Sequence, residues 1–568
     1  MPHTPLQHRL ANRSPFVVLS VVISLFAAVG CTSLWNGKSG DSNAESGLGE
    51  LMKMPDPPDL IREAAVSRGL QSIQVDGVAV VNSLPGTGGP ANPSGYRDQL
   101  LEEMKRNKIL EPNQFLELDS TAMVRVRGVI PPGARRGDPI DLRIIAPPES
   151  KVADLHNGWL LDTRLRHQQR LQSSVRQSDV MVVGLGPVLT RADFEPTVDE
   201  ALKNEGVVLS GGRVQTTRTL GLVLRPEYQH VRMAANLAGA VNRRFYFFDG
   251  TTRRGIAKAI EDDFIEVEVH PRYRGHEQRL MSVIHAIAVE PESSRTQKRL
   301  VTLKSRLQEP ATAADAALQL EALGESAIPT LIEGTASDNP ELRFYAAEAL
   351  AYLDRTEAID PLEEAARNVA AFRQPAISAL EGIPQQLALE ALQRLTKQPS
   401  LETRYTAFVA LRRREDGRRM LVGRKIGDKF TYYQVTTTAK PAIVVSLREQ
   451  PEIVLFGELS PVEIPAFVFG TGGIVIKPDP TQSSKLRVSR FQPKRDDQLA
   501  VVSNTVPGIL EGVATVGGGY GDAIAILRVC KDKGYLTDQL AIDPLPRSRR
   551  TYFRDDKDEH ESDDEWLN

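Results

Sequence analysis

Arg343-Phe-Tyr-Ala346-Ala-Glu-Ala349-Leu350, Arg373-Gln-Pro-Ala376-Ile-Ser-Ala379-Leu380 and Arg404-Tyr-Thr-Ala407-Phe-Val-Ala410-Leu411 are three copies of one pattern, offset by 30 and 31 residues. In a helix, the Ala, Ala and Leu of each copy fall at i+3, i+6 and i+7, which is one face, with the Arg at its mouth. Each copy is therefore predicted to be the second helix of a helical hairpin. The first helices are expected at Ala327 to Glu333, Ala358 to Arg367 and Gln385 to Leu395. Two of them carry proline near the first turn, where a missing N–H costs little. Small residues at the contact positions let helices approach closely, so the block from about Ala311 to Arg414 reads as a short two-helix solenoid. A non-repetitive helical bundle is the alternative.

Outward from this block the grammar changes. A chain of 568 residues is too long for one core and calls for two or three domains with tails. Its net charge of −3 shows no basic domain, which argues against a nucleic-acid partner. Cys31 and Cys530 are the two cysteines, too few for a disulfide framework or a Cys-rich metal site.

His3, His8, Arg9 and Arg13 make a basic start, and Phe16 to Val29 is a run of apolar and small residues, followed by Gly30-Cys31. The run is too short to cross a hydrocarbon layer of ~30 Å and has the layout of a signal peptide over residues 1–30. Ala28-Val29-Gly30-Cys31 resembles the lipobox of bacterial lipoproteins. That resemblance implies cleavage between Gly30 and Cys31 and a lipid on Cys31, and Thr32 then favours the outer membrane. An ordinary cleaved signal with an incidental cysteine is the other reading. Residues 31–69 are expected to be a tether; Asn36 to Asp59, rich in Gly, Ser, Asn, Asp and Pro, would span roughly 25 to 30 Å as a coil.

Strands and helices interleave on the way to the repeats. Strand readings fall on Ile73 to Ser83, Ala122 to Ile130, Ile140 to Ala146, Val180 to Val183, Gly206 to Leu209, Thr216 to Leu224 and Phe264 to His270. Helical ones fall on Tyr96 to Arg106, Tyr228 to Phe245 and Glu277 to Val289. The expected class is α+β. Leu84-Pro-Gly-Thr-Gly-Gly89 spells a sortase word but lies near the wrong terminus and lacks a following Gly-Lys-Ser/Thr, so it reads as a tight turn.

The segments Val75-Asp-Gly-Val-Ala-Val-Val-Asn-Ser-Leu-Pro-Gly-Thr-Gly-Gly89, Met123 to Arg143, Asn157-Gly-Trp-Leu-Leu-Asp-Thr-Arg-Leu165 and Thr219-Leu-Gly-Leu-Val-Leu-Arg-Pro226 follow the order and spacing of the flagellar P-ring protein family. Pro441 to Gly457 and Ile509 to Leu536 resemble that family's closing stretches. The resemblance covers about 72–292 and 440–542. It implies a core in two parts, 70–292 and 440–543, interrupted at 293–439 by an insertion holding HEAT-like repeats (about 311–414), with a charged tail at 544–568. Replacing Ser293 to Ala439 by a short linker would then leave a folded core. The tail carries eight acids between Asp555 and Glu565 and cannot bury enough apolar surface to fold.

The nine histidines show no His-x-His or His-Glu-x-x-His spacing, and there is no Gly-x-Ser-x-Gly elbow. No catalytic residue, metal ligand or cofactor is expected, and Cys530 reads as a small buried hydrophobe. The resemblance implies a structural subunit of a periplasmic ring around the flagellar rod. Its partners would be further copies of itself, rod and L-ring subunits and, through Cys31, outer-membrane lipid. The alternative is an outer-membrane lipoprotein scaffold that uses the same fold in another envelope complex, with a protein partner on the repeats.

Overall fold

The computed structural model describes residues 54–171, 174–195, 200–290, 293–492, 496–546 and 552. The expected signal peptide, Gly30, Cys31 and most of the tether and tail lie outside them.

Six antiparallel strands close on themselves: β2 (Ile73–Asn82), β3 (Ala122–Ile130), β4 (Pro139–Ile145), β5 (Trp159–Leu171), β6 (Ser174–Pro187) and β8 (Glu205–Val214), in the order β4-β3-β2-β5-β6-β8. The pairing of β4 with β8 shuts the barrel and removes its edges. The short β7 (Leu189–Thr190) adds to β8. Alternation explains the wall: along β3, Val124, Val126 and Ile130 point in and Arg125, Arg127 and Val129 point out. The barrel is narrow enough to need glycine inside. A Cβ on Gly184 would stand 2.3 Å from Leu142 Cδ1. Helix α1 (Gly95–Arg106) covers the outward residues Val78, Val80 and Met123 with Leu100, Leu101 and Met104.

A small sheet, β1 (Ala65–Arg68), β9 (Leu220–Leu224), β13 (Phe264–Val267) and β12 (Ala257–Ala259), follows in that spatial order, together with a hairpin of β10 (Tyr246–Asp249) and β11 (Thr252–Gly255). Helices α2 (Val231–Arg244) and α3 (Glu277–His285) complete this part.

The helical block begins one hairpin earlier than the repeat pattern suggests, with α4 (Ser293–Leu307) and α5 (Pro310–Leu323). Three further pairs follow: α6 (Ile328–Gly334) with α7 (Pro340–Tyr352), α8 (Ile359–Asn368) with α9 (Ala370–Gly382), and α10 (Gln386–Leu395) with α11 (Leu401–Arg413). Ala346, Leu350, Ala376, Leu380, Ala407 and Leu411 are all buried, as one helix face requires. The arginines are each the fourth residue of α7, α9 and α11. Arg373 and Arg404 are buried: Arg373 donates to Ala366 O near the end of α8, and Arg404 to Lys440 O ahead of β16.

Beyond the block lie two sheets. One is β14 (Val422–Ile426), β15 (Phe430–Val435), β17 (Glu452–Phe456), β16 (Ala442–Val445) and β22 (Gln539–Ile542) in spatial order; the other is β18 (Val468–Phe469), β19 (Ile474–Pro478), β20 (Lys485–Arg490) and β21 (Gln498–Ser503). Helices α12 (Val506–Thr515) and α13 (Tyr520–Asp532) share one core with both. The expected boundary at 439 therefore moves: β14 and β15 already belong to the sheet, since β15 pairs in parallel with β17. The fold is α+β, as expected, with an all-α block between two strand-rich parts.

Candidate functional site

His156 joins the two strand-rich parts. It lies in the loop before β5, 8% exposed, between two buried carboxylates. Its Nε2 is 2.8 Å from Asp522 Oδ1, and its Nδ1 stands 2.9 Å from Asp193 Oδ1. Both acids are placed by helix starts. Asp193, in the one-turn helix Arg191–Phe194, uses its other oxygen to accept the Thr190 N–H and hydroxyl at 3.0 and 2.8 Å. Asp522, at the third residue of α13, accepts the Gly519 N–H at 2.8 Å through Oδ2, and Thr471 Oγ1 donates to its Oδ1 at 2.8 Å. Helix N-termini favour carboxylates, and each acid turns its Oδ1 toward the imidazole.

Burial opposes a charge on His156, but Asp193 and then Asp522 more than offset it and raise the imidazole from 6.5 to about 10. Burial likewise opposes ionisation of Asp522, and the contacts from His156, Gly519 and Thr471 hold it below the usual carboxylate range. The trio is an imidazolium between two carboxylates. The hydroxyls of Thr190 and Thr471 donate to its carboxylates. Its effect is positional: it ties the loop before β5 to α13 across 366 residues of sequence. Gly521 permits the approach, because a Cβ there would lie 2.6 Å from Asp193 Oδ2. Arg528, two turns along α13, donates to the carbonyls of Ala192 and Glu195 at 2.9 and 2.7 Å.

A second junction docks the start of the helical block. Arg279 of α3 pairs with Glu321 of α5 at 2.6 Å and Glu348 of α7 at 2.5 Å, and the Tyr273 hydroxyl donates to Glu321 at 2.5 Å. Tyr273 stacks on Tyr352 at 4.8 Å, and the Arg279 guanidinium lies 4.3 Å from the Tyr352 ring centre. The far end is docked too. Tyr405, Phe408 and Val409 of α11 pack on Ala442, Val444, Val454 and Phe456 of the first C-terminal sheet.

The repeat arginines stitch this block. Arg343 donates to Ser337 O at 2.8 Å and pairs with Glu364 at 3.1 Å. Arg373 reaches Glu402 of the next hairpin at 3.1 Å. Arg404 donates to Lys440 O at 2.9 Å and lies over Phe456. The structure does not gather the nine signature residues into one site; it spreads them along the stack. The sequence reading missed His156, Asp193 and Asp522. The one local signal is Thr190-Arg-Ala-Asp193, a capping pattern that marks a helix start without naming its partner.

Among the described residues no group of three or more His, Cys, Asp or Glu could hold a metal ion. No helix there is long and apolar enough to cross a membrane. Comparison with known proteins places the first part. The profile of the flagellar P-ring protein family matches residues 60–306, from the strand-rich opening through α3 into α4. Residues 60–306 are similar to the flagellar P-ring protein family. A HEAT-repeat profile matches 300–381. A flagellar P-ring protein of Thermotoga maritima is 26% identical over 240 residues, which is 41% of this chain and 67% of the relative. One from Nitrobacter hamburgensis is 24% identical over 254 residues, 44% of this chain and 64% of the relative. One from Shewanella amazonensis is 26% identical over 258 residues, 42% and 64%. The P-ring region thus holds the barrel, the small sheet, His156 and Asp193, while Asp522 comes from outside it. The relatives' shared name supports a structural role of the P-ring kind in general.

Proposed function

We propose that this protein is a non-enzymatic structural subunit of a P-ring-like assembly, a periplasmic ring of identical copies around the flagellar rod beside the L-ring. The match of residues 60–306 to the P-ring profile carries this reading. In the proposed organisation, the C-terminal part from β14 to β22 completes the core begun at 70–292. The contact of His156 and Asp193 with Asp522 supports that, because it locks the two stretches together. A ring needs a head-to-tail contact, the only kind whose repetition closes a circle. Residues 1–30 act as the signal peptide, and Cys31 carries the lipid that holds the ring near the inner face of the outer membrane.

Electron cryotomography of basal bodies tests the role. Loss of the gene should abolish motility and remove a ring that, with a helical block on every subunit, is wider by one collar than a ring without it. A normal basal body in the deletion strain refutes the flagellar role. It would favour the second reading, a lipoprotein scaffold with a protein partner on the repeats, which rests on the presence of HEAT repeats at 300–381. Intact-mass measurement of the membrane fraction tests the anchor, and a mature chain without fatty acid at Cys31 ends it.

A further inference from the structure

We propose that the acidic segment Asp555–Glu565 of this chain docks on a band of arginines across the outer wall of its own barrel. The band follows from strand register. Arg143 of β4 lies opposite Arg127 of β3, Arg127 opposite Asp76 of β2, and Asp76 opposite Arg166 of β5. Four adjacent strands thus carry one transverse row, about 14 Å across at ~4.8 Å per strand. Arg125 and Arg164 add to it from neighbouring positions on β3 and β5, and Arg125, Arg127, Arg143 and Arg164 are exposed. Like charges opposite each other weaken a sheet. Asp76 is the one acid in the row and pairs with Arg127 at 2.9 Å, while Asp141 and Asp162 stand at the margins. Asp141 is engaged by the backbone N–H groups of Ser210 and Glu449 at 2.6 and 3.1 Å. Among the described residues, no carboxylate pairs with Arg125, Arg143, Arg164 or Arg166. A surface of this kind fits an extended polyanion.

The occupant is indicated by where the tail starts. A cleft of about 740 Å³ between barrel, helical block and C-terminal sheet is lined by Asp141, by Gln374 and Ile377 of α9, and by Asp543, Leu545 and Pro546 of the departing chain. Asp141 is two residues from Arg143 and faces the same way along β4. Tyr552 then stacks on Phe372 of α9 at 4.8 Å, on the side of that helix away from Gln374. The tail therefore departs from the helix that lines this cleft. Sixteen residues remain after Tyr552. They reach up to about 50 Å when extended, ample to cross the row. Eight of the eleven residues from Asp555 to Glu565 are acidic, with one Lys among them. Tethering raises the local concentration of those charges to the millimolar range, so ion pairs that are weak singly suffice to hold the segment.

Pulsed electron spin resonance on the full chain tests this, with nitroxides at His560→Cys and Val129→Cys in a Cys31→Ser background. Val129 is 52% exposed beside the row, and buried Cys530 stays unlabelled. At low salt the distance distribution should be narrow and centred below about 30 Å, within the tail's reach. It should broaden and lengthen in 1 M salt, where screening is effective beyond ~3 Å. R127E/R143E/R166E should broaden it in the same way. Changing the eight acids to Asn or Gln, which leaves the barrel untouched, should do so too. A broad distribution indifferent to salt and to both charge changes overturns the proposal. So does a short distance that appears only when singly labelled chains are mixed, because the segment would then sit on another copy.

Discussion

Replacing His156 by Asn removes the cation that two buried acids share. Asp193 is 1% exposed and Asp522 is 0%, so neither can turn to water for compensation. The imidazole is raised from 6.5 to about 10. At 1.36 kcal/mol per unit, that shift is worth about 5 kcal/mol. Removing one partner from a buried ion pair independently costs ~3–5 kcal/mol. The sign with pH is fixed because the folded value lies above the unfolded one. The contribution is fully present below pH 6.5, shrinks above it, and is gone once the pH has passed about 10. Urea unfolding of the full chain, followed by far-UV circular dichroism at pH 6, 7.5, 9 and 10.5, measures it against His156→Asn. The two proteins should differ by several kcal/mol at the lowest pH and converge at the highest. A gap that is flat with pH, or one below ~0.5 kcal/mol at pH 6, refutes the imidazolium between two carboxylates.

Gly521→Ala should push Asp193 aside and destabilise the chain by ~1–3 kcal/mol, seen as a lower urea midpoint at pH 7. Tyr273→Phe leaves one oxygen of buried Glu321 without its donor and should cost about 1–3 kcal/mol by the same measurement, with little dependence on salt because the cluster is out of water. Replacing residues 293–439 by a short linker, expected from sequence to leave a folded core, should instead give an aggregating product by light scattering. The deletion removes β14 and β15 and strips α11 from the sheet it covers. Cys530 is 0% exposed and burial raises its thiol to about 11, so a thiol reagent should label it only on unfolding.

The repeat helices were legible because their signal is local: Ala376, Leu380 and their equivalents recur at helical spacing within eight residues. The strands β2, β3 and β4 were legible for the same reason, through period-two alternation between Gly- and Pro-rich turns. Barrel closure was not, since the pairing of Ile144 with Gly206 joins strands separated in sequence by three others and leaves no trace in either segment alone. β14 was missed because Val422, Gly423, Arg424 and Lys425 are all exposed on an edge strand, so nothing alternates. The trio of His156, Asp193 and Asp522 was hidden more completely. Each residue is ordinary in its own neighbourhood, and their meeting depends on the docking of α13 beside the barrel. The buried positions of Arg373 and Arg404 also lay beyond the sequence, because an arginine at a helix start is read as a solvated charge until its carbonyl or carboxylate partner is known.

Solenoids of stacked hairpins ordinarily behave as springs with loose ends: each unit leans only on its neighbours, and terminal units fray first. Here the first end is held by Arg279, Tyr273 and their aromatic contacts, and the last helix is roofed by a β-sheet. With both ends fixed, the stack is a strut. It loses the end-fraying route to unfolding, and a pull applied to its middle is shared between α3 and the C-terminal sheet. Stiffness of this kind suits a part that carries load without yielding.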